Sequence, residues 1–234
     1  MTKIALLLSL GLPVIVRVAG AQEETNKSAQ MSAMKTIKLP APNTKGATSL
    51  EEALFKRRSV RAYSEEPLTI KEVSQLLWAA QGITERTNGL RTAPSAGALY
   101  PLEMYVVAGN VSDLVKGIYK YRPQVHELVK VSDNDARKEL SRAALEQESV
   151  RDAPAILVFS AVIERTAVKY GTRSTRYVHM EAGHAAQNVF LQAAALNLGT
   201  VVVGAFYDDD VKKVIGMDAR ESALYIMPVG RPRK

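Results

Sequence analysis

The chain has 234 residues, of which 47% are hydrophobic and 24% charged, with a formal net charge of +7 and no cysteine. The length and apolar content suit one elaborated α/β domain and argue against wholesale disorder. The missing cysteines exclude disulfides, thiolate metal sites and cysteine nucleophiles; the scattered basic residues and 6% aromatic content point to no nucleic-acid partner.

Residues 1–21 read as a secretory signal. Lys3 supplies the positive start, Ile4 to Val16 is nearly all apolar, and Ala19-Gly20-Ala21 gives the small-x-small cleavage pattern. The apolar run is too short to span a bilayer comfortably, so no stable membrane insertion is expected after cleavage; an uncleaved anchor is the alternative. Export to the periplasm or exterior follows as an expectation. Residues 22–47, with Pro40, Pro42 and Gly46, read as a polar linker or extended arm, and the folded domain is expected over 48–234.

Ser49-Leu-Glu-Glu52 is a capping box that opens a short helix running into an arginine cluster. Thr69-Ile-Lys-Glu72 opens a second helix, with Val73, Leu76, Leu77 and Ala80 on one face and Gly82 at its end. Residues 83–100 lack periodicity and read as structured loop. Leu102 to Ala108 reads as a strand, Gly117 to Tyr121 and His126 to Val131 as a hairpin, and Asn134 to Gln147 as a polar helix. Ala155 to Ala161 and Thr200 to Phe206 read as buried strands, Tyr177 to Leu198 as a long alanine-rich helix, and Leu224 to Pro228 as the last strand. Strands and helices intermix without strict alternation, so an α+β fold with a mixed central sheet flanked by helices is expected.

Three segments carry candidate chemistry. Arg57-Arg58-Ser59-Val60-Arg61 places three guanidinium groups and a hydroxyl where a helix stops, a donor set that suits an oligoanion. Alone it reads rather as a solvated basic turn, and the other segments reverse that reading. Pro94-Ser95-Ala96-Gly97-Ala98-Leu99-Tyr100-Pro101 follows, and the chain closes with Gly199-Thr200-Val201-Val202-Val203-Gly204 and Pro228-Val229-Gly230-Arg231-Pro232. In this order and spacing the segments resemble the nitroreductase family of flavin enzymes. Pro94 to Pro101 and the run Glu181 to Asn188 are similar to its SagB-type dehydrogenase branch.

The resemblance implies a homodimer with FMN between the subunits and hydride transfer through flavin N5. Arg57, Arg58, Ser59, Arg61 and Arg231 would then meet the phosphate, ribityl chain and pyrimidine edge. Pro94, Ser95, Ala96 and Gly97 would lie against the ring, and Val202, Val203 and Gly204 near N5 from the other side. Lys169-Tyr170 resembles the catalytic pair of the azoline-oxidising members; a lysine acting as base needs a lowered pKa, which a buried cationic site supplies. The implied substrate is a small molecule or peptide-derived. Glu181-x-x-His184 is half of a dimetal motif whose second half is missing, so no metal is expected. Two other readings stay open: a degenerate exported flavin- or anion-binding protein without turnover, and a basic anion-binding module.

Overall fold

The computed structural model describes residues 35–233. The signal-like segment 1–21 and the first part of the expected linker lie outside the described residues. In chain order the elements are β1 (Thr36–Lys38), α1 (Leu50–Lys56), β2 (Leu68–Thr69), α2 (Ile70–Gln81), β3 (Ile83–Glu85), β4 (Leu90–Arg91), β5 (Leu102–Ala108), β6 (Val111–Ser112), β7 (Gly117–Arg122) and β8 (Glu127–Ser132). After these come α3 (Arg137–Ala143), α4 (Glu148–Asp152), β9 (Ala155–Ala161), α5 (Ile163–Tyr170), α6 (Ser174–Ala195), β10 (Gly199–Thr200), α7 (Asp208–Ile215) and β11 (Ser222–Gly230).

Seven strands form the central sheet, in the order β1-β8-β7-β5-β9-β11-β10. Their pairing is antiparallel throughout, which corrects the mixed sheet expected from sequence. The path between β9 and β11 explains it. The chain leaves β9 at Ala161, and α6 carries it to the far end, where Gly199 pairs with Gly230. It then runs back to re-enter β11 at Ser222, opposite Ala161.

Side chains alternate across the sheet as a period of two requires. Met104, Val106, Leu157, Phe159, Met227 and Val229 face one core with α2 and α6. Tyr105, Val107, Ile156, Val158 and Ile226 face the other with α3 and α7. In α6, Ala182, Ala185, Ala186 and Ala193 are buried in the chain's own core. These small residues, expected to suit a dimer contact, bring the helix close to its own sheet.

Both helices start at the expected caps, but only the second capping box closes on both sides, because the Glu52 carboxylate pairs with Lys56 instead of reaching back to Ser49. Glu52 N–H donates to Ser49 Oγ at 3.1 Å, and Thr69 and Glu72 cap each other reciprocally. Four expectations change. Residues 36–47 are not a free arm: β1 adds an edge strand to β8, Leu39 is buried, and the Pro40 carbonyl accepts from Ser74 Oγ at 2.7 Å. The helix expected over 134–147 is shorter: α3 ends at Ala143, because Leu145 and Glu146 both adopt positive φ, and a separate α4 begins at Glu148. The strand expected over 200–206 is only β10 plus a reciprocal pair between Val203 and Ile226. The loop expected over 83–100 holds the small β3–β4 pair and a 3-10 turn over Ala96–Ala98. No described helix is long and apolar enough to cross a membrane.

Candidate active site

α1 stops at Arg57, whose N–H bonds the Ala53 carbonyl at 2.9 Å. The chain then runs beside β10: Val60 N–H donates to the Thr200 carbonyl at 2.9 Å, and Ser59 pairs with Thr200. Gly199 permits this approach, since a Cβ there would lie 2.6 Å from Val60 Cβ. Ser64 N–H donates to the Arg231 carbonyl at 2.9 Å, joining the end of the chain to the same segment.

These strands wall a cavity of about 890 Å³ lined by Lys56, Arg57, Arg58 and Arg231, with Phe190 and Ala193 of α6 opposite. The Arg57 guanidinium lies 5.3 Å over the Phe190 ring. Arg58 Nη1 donates to the carbonyls of Phe55 and Arg57, both at 2.8 Å. Arg231 is already paired, 2.9 Å from Glu66 and 3.1 Å from Glu72. Ser59 and Arg61 are exposed and outside the lining. Ser64 and Thr200 are the hydroxyl residues that line the cavity. The hydroxyl oxygens of both residues are buried in the wall without a partner among the described residues. Unspent buried hydroxyls beside five cations, with Arg233 completing the lining, are what a phosphorylated polyol chain such as that of FMN would satisfy, so the residues present fit that group.

The second cluster sits on the other half of α6. Ser95 Oγ donates to Glu181 Oε2 at 2.5 Å and accepts from Tyr100 N–H at 2.9 Å. Ser95 opens the 3-10 turn, in which Gly97 has φ +64°. A Cβ on Gly97 would lie 3.0 Å from Tyr170 Oη and 3.3 Å from Lys169 Nζ. The fold thus brings the Ser95–Gly97 turn and the Lys169–Tyr170 pair together at the end of α5, with Tyr170 edge-on to Tyr177 at 5.0 Å. Lys169 is exposed in the single chain, not buried as expected. Pro94 is exposed and Ala96 half-buried beside it.

Gly204 lines a third, smaller cleft with His179, Phe206 and Tyr225, and contributes nothing to the arginine cavity. Val203 is buried and tied to Ile226, and Val202 is half-buried. Val202, Val203 and Gly204, predicted to lie near N5, do not line the arginine cavity, whereas Thr200 of the same segment does.

Residues 54–231 match the model of the nitroreductase family. The chain belongs to that family. A Methanocaldococcus jannaschii protein named as a nitroreductase is 50% identical over 182 residues, 78% of this chain and 90% of its own. The microcin B17-processing protein of Escherichia coli is 28% identical over 165 residues, 68% of this chain and 61% of its own. A solved nitroreductase-named structure from Anabaena variabilis superposes with a TM-score of 0.76 at 36% identity, covering 86% of this chain and 42% of that one. The chain is therefore a nitroreductase-family flavin oxidoreductase with the α+β fold of that family.

In this nitroreductase-family chain, sequence reasoning overlooked Ser64, Phe190 and the carboxylates on Arg231, and it weighed Glu181 only as half a metal motif and as the start of the Glu181 to Asn188 run. Glu181 is 3% exposed, with Oε1 unpartnered among the described residues. Burial pushes its pKa up from 4.5 to about 7, against the opposing pull of Ser95 and Arg91. A raised carboxyl pKa gives stability that is full below the unfolded value and lost as pH rises through the folded one. The rise from 4.5 to about 7 corresponds to about 3 kcal/mol. Glu181→Gln keeps an acceptor for Ser95 and removes the titration. Denaturant melts at about pH 5 and about pH 8 should show wild type losing more stability than the variant as pH rises. Identical losses in both proteins would remove this role from Glu181.

Proposed function

We propose that the chain is an FMN-dependent dehydrogenase of the SagB type, working as a homodimer on a small or peptide-derived substrate. The observation that carries the cofactor is the pair of buried, unpartnered hydroxyls of Ser64 and Thr200 among the arginines of one cavity. When bound, FMN would supply two-electron redox chemistry at its ring. Arg57 and Arg58, with Arg231 once released from Glu66 and Glu72, would hold the phosphate dianion. Ser64 and Thr200 would bond ribityl or phosphate oxygens. The Ser95–Gly97 turn would present backbone N–H groups with no side chain in the way. Lys169 Nζ and Tyr170 Oη, both against Gly97, would take the proton that the substrate loses and release it to solvent.

The homodimer reading has a geometric support. Glu181, which holds the Ser95 turn, and Ala193, in the arginine cavity, are twelve residues apart on α6, or about 18 Å along its axis. A partner's turn supplied across an interface would close the distance that one chain leaves open. Phe55 is 78% exposed and Met180 54% exposed, which gives apolar surface for that contact. The likeness to the microcin-processing protein supports the dehydrogenase branch.

The test is an absorbance spectrum of the purified protein between roughly 300 and 550 nm, taken after desalting with and without added FMN. Retained flavin bands are expected. A colourless protein that binds no added FMN would overturn the cofactor assignment and leave the arginine cavity as an anion site of another kind.

A further inference from the structure

A separate cavity of about 210 Å³ opens beside Tyr100, between β5, β7 and α5. It is too small for a nucleotide, since sites for drug-sized ligands run to about 300–1,000 Å³. Four cations line it: Arg91, Lys120, Arg122 and Arg165. Two of them are compensated. Arg165 reaches Glu103 at 2.6 Å, and Lys120 reaches Glu103 at 3.1 Å and the buried Glu221 at 2.7 Å.

The other two form no ion pair among the described residues. The Arg91 guanidinium stacks 4.5 Å over Tyr100 and gives one bond, Nη1 to Gln81 Oε1 at 2.7 Å. Its Nε is buried without a partner among the described residues. Burial lowers the Arg91 pKa, against the opposing pull of Glu103 and Glu181. Two positive charges without an ion pair thus line a space sized for one small polar group.

The cavity is linked to the Lys169–Tyr170 pair. Arg165 lies one turn before Lys169 on α5 and donates to the Tyr100 carbonyl at 3.3 Å, while the Tyr100 N–H is bonded to Ser95 Oγ. Residues four apart share a helix face.

We propose that this cavity is an oxyanion subsite that takes the carboxylate or phosphate group of the substrate through Arg91 and Arg122. It would favour acidic substrates at the neighbouring pair. Naming the occupant as substrate rests on the function proposed above; binding of the anion does not.

Calorimetric titration of the full chain at low ionic strength, with inorganic phosphate and separately with succinate, tests it. One anion site is expected to survive Arg57→Ala and to weaken about tenfold in Arg122→Ala, with phosphate and succinate distinguishing the two oxyanion classes. A site lost in Arg57→Ala and kept in Arg122→Ala would place the anion in the arginine cavity and overturn the proposal. Absence of binding by either anion would overturn it as well. Arg122→Ala should melt normally and retain flavin like wild type, so failure of the subsite is separable from failure of the flavin reading.

Discussion

Replacing both Arg57 and Arg231 by alanine should weaken FMN binding by about 100-fold or more, since each charge-assisted hydrogen bond contributes about 1.5–3 kcal/mol. The two arginines fail in different ways. Arg57 loses a fork of donors and uncovers Phe190, over which its guanidinium lies. Loss of Arg231 does further harm: Glu66 and Glu72, now held at 2.9 and 3.1 Å, would present unpaired carboxylates toward an incoming dianion. The fold should survive. The Arg57 helix cap is a backbone bond to Ala53, and Glu72 keeps its bond to Thr69. Arg61→Ala is the informative contrast, because the cavity lining excludes it and an exposed charge is worth about 0–1 kcal/mol. Fluorescence titration of the desalted proteins with FMN measures all three. A double variant that copurifies with full flavin would remove the phosphate assignment. An equal loss in Arg61→Ala would favour the sequence motif over the cavity as the guide to contacts.

What could be read from sequence was local. The boundaries of β5 and β9 follow from seven-residue, largely apolar runs, and the starts of α1 and α2 from Ser49 and Thr69 standing three residues before a glutamate. What could not be read depends on partners far along the chain. β1 is only Thr36–Lys38, and its pairing with β8 lies some 90 residues on, so no pattern within the segment separates it from a linker. α5 buries only Thr166, too little for an apolar stripe to announce a helix. In the site, residue types were legible and their assembly was not. Arg57, Arg58 and Arg231, named through the resemblance of their segments, line one cavity. The Ser95–Glu181 contact spans 86 residues and the Arg231–Glu72 pair 159, and nothing local marks either. Ser64 and Thr200 carry meaning only through being buried without partners, a property of the packed structure alone.

Lys169→Met should lower substrate oxidation by about 10²–10⁴-fold, the usual contribution of a positioned proton acceptor, while flavin content stays at the wild-type level. The separation follows from placement. Lys169 and Tyr170 pack against Gly97 at the end of α5, whereas the arginine cavity is built from α1, β10 and the C-terminal half of α6. Methionine keeps much of the stem that lies against Gly97 and removes the amine, so packing changes little and proton transfer is lost. Tyr170→Phe is the companion. It preserves the edge-on ring contact with Tyr177 and deletes only the hydroxyl 3.0 Å from the position of a Gly97 Cβ. Equal flavin spectra with both rates depressed would assign the pair to proton handling; depressed flavin content would instead make it part of the cofactor wall. Unchanged turnover in both variants, with flavin bound, would take the chemistry away from this pair and return it to Glu181 or to a residue of the partner chain.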